Sequence, residues 1–256
     1  MYYYIFDIKK CNKRSQVENI KEYLASLGIS GEFTYPSAAQ NVEELVHLGL
    51  SKQYTTIVAI GSDEIANSVA SAMVGRKEAM GFIPLEITPE LATLIGTDNW
   101  KTACDILRFR KIREIRLGKM ATGKHFLTYA KLDLKFPVEI TMELKNYIVQ
   151  AKVKDLMISN FHPEIKKIAD DFLDIVMTSV EPNGSIISKF NSFLGIEKKT
   201  GDNSLSLFRA RSLRLFTKSK MPIISGGGVI AKTPQFIESS DDFLRLITAK
   251  KAAEIG

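Results

Sequence analysis

A chain of 256 residues with 45% hydrophobic content is long enough for one large domain or two smaller ones with well-filled cores. Its two cysteines are too few for a disulfide framework, no signal-peptide pattern is present, and no apolar run approaches the roughly 18 residues of a membrane span. We therefore expect a folded cytoplasmic protein that would contact a membrane only peripherally. The net charge of +6 favours anionic partners, although solvated faces account for such an excess in many soluble proteins.

The first hundred residues alternate between strand-like and helical patterns. Runs of β-branched and aromatic residues indicate strands, and apolar residues at helical spacing between them indicate helices. Because the run at 55–60 can be buried on both faces, it is typical of a parallel strand covered on both sides. This order predicts a doubly wound parallel sheet. The strands are expected at 2–6, 33–35, 55–60 and 80–85, and the helices at 17–27, 42–49 and 65–74.

After about residue 105 the pattern changes to the alternation of antiparallel strands, so we expect a second, β-rich domain at residues 106–247. An α/β domain at 1–105 precedes it, and the C-terminal tail 248–256 could complete that first domain. Within the second domain, apolar residues at helical spacing predict one helix at 163–177, followed by a loop rich in Gly, Asn and Ser.

Three short segments lie where one enzyme family has its sequence motifs. Residues 61–65 read Gly-Ser-Asp-Glu-Ile in the place of a Gly-Gly-Asp-Gly-Thr loop. Residues 83–90 read Ile-Pro-Leu-Glu-Ile-Thr-Pro-Glu in the place of Ile-Pro-Leu-Gly-Thr-Gly-Asn-Asp. Three glycines at 226–228 stand in the slot of an Asp-Gly-Glu motif, ahead of a Thr-Pro pair at 233–234. On these motifs the chain resembles the lipid kinases that phosphorylate diacylglycerol, sphingosine and related lipids.

The resemblance implies an N-terminal doubly wound parallel-sheet domain, like that of NAD kinases and diacylglycerol kinases, and a C-terminal antiparallel β-sandwich domain. It also implies a transferase that uses ATP and Mg²⁺ to phosphorylate a lipid hydroxyl. By their positions in the motifs, Gly61, Ser62, Asp63, Glu64 and Thr88 are the candidate nucleotide-binding residues. Asp63 is also the candidate catalytic residue, and no metal ligand is carried over.

The departures from the family's motifs oppose phosphate binding and catalysis. Glycines after a strand let main-chain N–H groups approach phosphates, whereas Glu64 and Glu86 add bulk and negative charge. Gly226, Gly227 and Gly228 form an eroded catalytic motif, because they can neither accept a proton nor bind a cation through a side chain. We therefore expect phosphoryl transfer to be weak or absent.

Two of these features also have simpler interpretations. Asp63, at a strand end beside a helix N-terminus, could cap the helix or support the loop instead of contacting a nucleotide or acting as a base. The glycines at 226–228 could form an anion-binding nest of backbone N–H groups, but a hairpin turn after the strand at 222–224 is the simpler interpretation.

Basic residues concentrate in two segments, which could attract acidic lipid headgroups or simply form solvated sheet faces. No aromatic-rich nucleic-acid signature accompanies them, so we expect no nucleic-acid partner. Histidines and cysteines do not have metal-ligand spacing, and no Gly-x-Ser-x-Gly motif indicates a hydrolase. The first segment contains Arg108, Arg110, Lys111, Arg113, Arg116 and Lys119, and the second contains Arg209, Arg211, Arg214, Lys218 and Lys220.

Two hypotheses follow from these observations. The first is a divergent lipid kinase that binds ATP and Mg²⁺, with Asp63 near the phosphates. The second is a pseudokinase that kept the fold, lost the reaction and the need for a cofactor, and acts as a ligand-binding or scaffold protein. The altered motifs favour the second on chemical grounds. The sequence identifies neither the lipid, nor a partner protein, nor the oligomeric state.

Overall fold

The computed structural model describes residues 1–7, 9–10, 14–162, 167–168, 171–180, 204–250 and 254–255. Helices and strands in this part of the chain are numbered in chain order. The helices are α1 Arg14–Ser26, α2 Val42–Ser51, α3 Asp63–Met73, α4 Pro89–Ile95 and α5 Trp100–Phe109. The strands are β1 Tyr2–Phe6, β2 Gly31–Thr34, β3 Thr56–Ser62, β4 Ala79–Glu86, β5 Ile112–Met120, β6 His125–Phe126, β7 Tyr129–Leu132, β8 Val138–Leu144, β9 Tyr147–Ser159, β10 Phe161–His162, β11 Lys167–Ile168, β12 Leu173–Ser179, β13 Ser204–Ala210, β14 Ser212–Thr217, β15 Pro222–Ser225, β16 Gly228–Lys232, β17 Gln235–Ile247 and β18 Glu254–Ile255.

The N-terminal strands form a parallel sheet in the order β2-β1-β3-β4. The central strand β3 is buried along its whole length, because helices cover both faces of the sheet. On one face α2, α3 and α4 pack over apolar residues such as Tyr3 and Ile57. On the other face α1 and α5 pack over residues such as Tyr4 and Val58. The expected doubly wound parallel sheet is confirmed.

The C-terminal strands are antiparallel, as expected. They follow the order β16-β15-β7-β9-β8-β14-β17, and β12 pairs with both β9 and β13. Alternating apolar side chains of β8, β9, β12 and β14 point inward and form a second core, which includes Met142, Leu156, Ile175 and Leu215.

Strand β17 joins the two cores. It pairs with β14 and β5 in antiparallel fashion, and its last residues pair in parallel with β4. Ile237 therefore lies in the second core, whereas Leu244 and Leu246 lie in the first. Beyond this strand, the backbone N–H groups of Thr248 and Ala249 donate to Lys111 and Ile95. The division of the chain at residues 105 and 106 stays a prediction.

The helix predicted at 163–177 is wrong for its second half. Residues Leu173–Ser179 form β12, in which Leu173, Ile175 and Met177 are buried and alternate with the residues between them. The same apolar residues fit a helix or a strand by local spacing, and the two flanking strands decided the outcome by supplying hydrogen-bond partners. Residues 163–166 and 169–170 of the predicted helix lie outside the described residues, as do 251–253 and 256 of the tail.

Candidate functional site

The carboxyl ends of β1, β3 and β4 meet at one edge of the parallel sheet. Asp7 follows β1 and is buried there, where its carboxylate accepts hydrogen bonds from the Ser62 hydroxyl and from the Lys9 backbone N–H, the latter at 3.0 Å. Gly61 has φ +147°, and a Cβ at that position would overlap the Cβ of Asp7. Glycine is therefore required at residue 61, because β1 and β3 approach closely just before the loop.

Asp63 begins α3, and both of its carboxylate oxygens are engaged by Thr88. The Thr88 backbone N–H donates to Oδ2 at 2.9 Å, and the Thr88 hydroxyl donates to Oδ1 at 2.7 Å. Since Thr88 is the N-cap residue of α4, these bonds tie the loop after β3 to the loop after β4. The structure thus places the candidate catalytic residue and the candidate nucleotide-binding Thr88 together, in a loop-supporting contact.

Glu64 and Glu86 each face a lysine from the segment that follows β1. Lys9 Nζ lies 3.1 Å from Glu64 Oε2, and Lys10 Nζ lies 2.5 Å from Glu86 Oε2. The hydrogen bond to Glu86 raises the pKa of Lys10. These exposed pairs add little to folding stability, but the lysines offset the negative charges of Glu64 and Glu86. Lys9 and Lys10 were missed, although their position directly after a parallel strand could have placed them at this edge.

Gly226 and Gly227 form the turn between β15 and β16, and Gly228 begins β16, so the hairpin interpretation is the one the structure shows. Gly226 and Gly227 have φ values of +58° and +85°, which favour glycine. A Cβ at Gly226 would lie 2.7 Å from the carbonyl oxygen of Asp63. The turn therefore packs directly against the first turn of α3, and the eroded motif lies beside the candidate nucleotide loop.

Asn67 on α3 links this helix to the C-terminal strands. Its Nδ2 donates to the Ser225 hydroxyl at 2.8 Å, and its Oδ1 accepts from the Leu127 backbone N–H at 2.7 Å. The Ser225 hydroxyl in turn donates to the Tyr129 carbonyl at 2.6 Å. Sequence reasoning missed Asn67, although a polar residue among the inward apolar residues of a helix is a signal that could have found it.

Two adjoining cavities open on either side of Glu64. One, of about 390 Å³, lies between α2, α3 and the hairpins that end in β6 and β16. The other, of about 440 Å³, lies between α2, α3 and the segment after β1. Both volumes fall within the range of small-molecule sites. Val42, Glu64 and Ser68 line both cavities, which thus form one continuous cleft.

His125 lines the first of these cavities. Its Nδ1 lies 3.4 Å from the Ser71 hydroxyl, and the same hydroxyl accepts a hydrogen bond from the His125 backbone N–H at 3.2 Å. Burial lowers the pKa of His125, the positive charge of Lys119 lowers it further, and Asp242 opposes these effects. The imidazole is therefore neutral near pH 7. In the described residues, no group of three or more His, Cys, Asp and Glu side chains could hold a metal ion.

Comparison with known proteins bears on this site. Residues 9–120 match the Diacylglycerol kinase catalytic domain family. The match covers 112 of the 256 residues and, together with the fold, supports an assignment to the diacylglycerol kinase family. The matched region contains the loops of Asp63 and Thr88 and ends before the glycine turn at 226–228. No match was found among curated proteins.

Solved structures agree with this family in fold. One, described provisionally as a diacylglycerol kinase from Bacillus anthracis str. Sterne, has a TM-score of 0.77 at 15% identity and covers 98% of each chain. Another, described as a diacylglycerol kinase from the same strain, has a TM-score of 0.74 at 15% identity and covers 98% of this chain and 97% of its own. Both halves of this chain therefore share the fold of these two structures. Over its described part, this chain has no helix long and apolar enough to cross a membrane.

Proposed function

We propose that this diacylglycerol-kinase-family protein carries out ATP-dependent lipid phosphorylation weakly or not at all, and that its cleft serves to bind a ligand or a partner. The observation that carries the proposal is the internal engagement of the motif loops. Asp63 is bound by Thr88, Glu64 by Lys9 and Glu86 by Lys10. The charged side chains of the motif loops are thus bound by other residues of the protein.

The loops at residues 61–65 and 83–90 do not fit a nucleoside triphosphate. An active kinase of this family would use ATP with a divalent metal, and its loops would have to leave backbone N–H groups accessible to phosphate oxygens. Glu64 lies in the first turn of α3 and carries a negative charge at the helix end that phosphates prefer. Lys9 offsets that charge by pairing with it, so a phosphate would have to displace the carboxylate before using the lysine.

Within the described residues, the glycine motif supplies no general base, for a steric as well as a chemical reason. A general base must lie within hydrogen-bond reach of the attacking hydroxyl. Gly226 cannot be exchanged for a carboxylate without moving the turn, because a Cβ there would overlap the backbone of Asp63. Asp63 itself already accepts two hydrogen bonds from Thr88, which hold its carboxylate between the two loops.

The ligand-binding part of the proposal rests on the cleft. Its two cavities of about 390 and 440 Å³ are lined mainly by polar and charged residues such as Asn67, Ser68 and His125, with a smaller apolar part that includes Val42 and Ile65. Volumes of this size are typical of small-molecule sites, in which convergent polar groups orient the ligand.

A thermal-shift titration with ATP and Mg²⁺ tests the proposal. Ligand at about a hundred times its Kd adds roughly 2.7 kcal/mol to stability, which for this chain length raises Tm by about 5–10 °C. We expect no shift at about 5 mM nucleotide, and a shift of that size would show that the loops still bind ATP. Radiolabel transfer to diacylglycerol and sphingosine is expected to be weak or absent.

Variants without these negative charges show whether the carboxylates of Glu64 and Glu86 prevent ATP binding. If Glu64 and Glu86 exclude ATP, the double variant Glu64→Gln with Glu86→Gln is expected to bind nucleotide more tightly than the unaltered chain, because Lys9 and Lys10 are then released toward phosphate. Glu18→Gln removes a carboxylate from a surface pair with Lys21 and is the matched control. If turnover is observed in the unaltered chain, Asp63→Asn is expected to abolish it, and survival of turnover in this variant would show that Asp63 is not the catalytic residue.

A further inference from the structure

The C-terminal end of α5 exposes an aromatic side chain among basic residues. Phe109, the last residue of the helix, is 81% exposed. Arg108 precedes it and Arg110 and Lys111 follow it, and all three are exposed. Phe109 is the most exposed large apolar side chain of the described residues, and it has three cations beside it in the sequence.

The cations beside Phe109 differ from the rest of the first basic segment. Arg116 is paired with Asp171 at 2.9 Å and lies over the ring of Phe243, and Lys119 is paired with Glu238 at 3.6 Å. Arg110 and Lys111, by contrast, donate to the main-chain carbonyls of Thr55 and Lys250, each at 3.3 Å, and these bonds leave their charges in place.

No salt bridge of the described residues involves Arg108, Arg110 or Lys111. The adjacent loop adds Arg76 and Lys77, which are exposed, and Glu78, which is half-buried. This loop lies next to Arg110, because the backbone N–H of Ala79 donates to the same Thr55 carbonyl at 3.1 Å. The neighbourhood therefore keeps a net positive charge.

This surface lies at the opposite end of the parallel sheet from the cleft. Thr55 directly precedes β3, and the Tyr2 hydroxyl at the start of β1 donates to the Leu107 carbonyl of α5 at 3.2 Å. The cleft lies at the other ends of these two strands, beside Asp7 and Ser62. The seven residues of β3 separate the two sites by roughly 20 Å.

We propose that Arg108, Phe109, Arg110 and Lys111 form a docking patch for an anionic lipid bilayer. Phe109 enters the interface between headgroups and acyl chains, and the three cations contact lipid phosphates. A bilayer accommodates one projecting ring without a preformed pocket, whereas a specific protein partner requires a buried area of about 800 Å² on each side. Docked in this way, the protein holds its cleft away from the bilayer, so the patch acts as an anchor and the cleft does not draw lipid from the docked surface.

Vesicle co-sedimentation of the full chain tests the patch. We expect binding to phosphatidylcholine vesicles that contain about one third phosphatidylglycerol, little binding to phosphatidylcholine alone, and weaker binding at high salt. Phe109→Ala is expected to reduce the partition coefficient about tenfold, from lost apolar burial. The triple change Arg108→Gln, Arg110→Gln and Lys111→Gln is expected to reduce it on the order of 100-fold.

Matched controls separate the patch from general basicity. Phe136→Ala removes another exposed ring, and Arg214→Gln with Lys218→Gln and Lys220→Gln removes three charges from the second basic segment. Both are expected to leave vesicle binding unchanged. The proposal is overturned if the controls weaken binding as much as the patch variants, if the unaltered chain does not bind anionic vesicles, or if the patch variants lose affinity for single-stranded nucleic acid but not for vesicles.

A second readout does not depend on loss of binding. In a Trp100→Phe background, Phe109→Trp places the only tryptophan of the chain in the patch. We expect its emission to shift to shorter wavelength on addition of anionic vesicles and to stay unchanged with neutral ones. An unchanged emission with vesicles that do bind the protein would show that another surface makes the contact. This outcome is independent of nucleotide binding and therefore of the proposed function.

Discussion

Gly226 illustrates how the backbone conformation at one position restricts which residue types can occupy it. The residue has φ +58°, and its α-carbon faces the carbonyl of Asp63 so closely that a Cβ would lie 2.7 Å from that oxygen. At Gly228, two residues later in the same hairpin, a Cβ would meet its nearest neighbour, Glu64 Cγ, at 3.8 Å. The two glycines therefore differ in what they tolerate, although the sequence presents them as equivalent.

Substitution of these glycines tests the difference. Gly226→Ala and Gly226→Asp are expected to lower the free energy of unfolding by about 2–4 kcal/mol, because a left-handed conformation is strained for any side chain and the turn must move off α3. Gly228→Ala is the matched control and is expected to change it by less than about 1 kcal/mol. Urea denaturation monitored by circular dichroism measures both. Equal stabilities of the two alanine variants would contradict the packing of the turn on Asp63.

Asn67 is a second residue whose role depends on distant partners. Asn67→Ala is expected to cost about 2–3 kcal/mol, because the buried Leu127 N–H loses its acceptor and Ser225 loses a donor. Asn19→Ala, at an exposed position of α1, is the control and is expected to change stability by less than about 0.5 kcal/mol. Chemical denaturation of both variants checks this, and similar values for the two would show that the link between α3 and the C-terminal strands contributes little.

Among the elements, α3 is the one through which both halves of the chain meet at the cleft. Its first turn contacts the loop before α4 and the hairpin turn between β15 and β16, its middle carries Asn67, and its last turns face β6. In that last contact, Ser71 and His125 meet in a partly buried position. The contact between α3 and β6 should therefore depend on the protonation of His125.

The stability of the protein is expected to fall as the pH drops below about 6.5, in part because of His125. Burial and Lys119 lower the pKa of this imidazole below its ordinary value of 6.5, so between the two values the unfolded chain binds a proton that the folded chain does not. Stability therefore rises with pH in that window and is fully present above it, with a slope of at most about 1.4 kcal/mol per pH unit.

Thermal denaturation between about pH 5 and pH 7.5 measures this dependence. Because other groups titrate in the same range, the informative quantity is the difference between the unaltered chain and His125→Gln, which is expected to have a smaller slope. If His125→Gln and the unaltered chain show the same slope, the imidazole is not held neutral by its burial.

At the scale of the whole molecule, β17 makes the two halves one folding unit. The strand contributes Ile237 to the core of the C-terminal strands and Leu244 and Leu246 to the core of the parallel sheet. It pairs along most of its length with β5, which likewise runs between both cores. Loss of either core would leave half of β17 without its packing partner.

Unfolding is therefore expected to be a single transition. Trp100, the one tryptophan of the chain, packs edge-on against Tyr23 between α1 and α5 and reports on the α/β half, whereas far-UV circular dichroism reports on both halves. We expect the urea midpoints from the two signals to coincide. Leu244→Ala is expected to lower both midpoints together and to cost about 2–5 kcal/mol. Separate midpoints would show that the two halves unfold independently.

The local sequence predicted those helices and strands whose apolar residues follow a regular spacing. The largely apolar run of β3 and the helical spacing on either side predicted the parallel sheet, because a strand buried on both faces between helices is typical of that arrangement. The end of β3, the start of α3 and the end of β4 were likewise predicted to within a few residues, since strand ends and helix starts have local signals.

Only the tertiary structure decided which distant residues meet at those loops. The pairing of Lys9 with Glu64 and of Lys10 with Glu86 depends on how neighbouring strands align. The exclusion of a side chain at Gly226 depends on where the hairpin turn packs against α3. In the same way, β12 became a strand because β9 and β13 offered it hydrogen bonds, which overrode a local pattern that also fits a helix. Hydrophobic period is a property of a short segment, whereas charge pairing and steric exclusion are properties of segments brought together by folding.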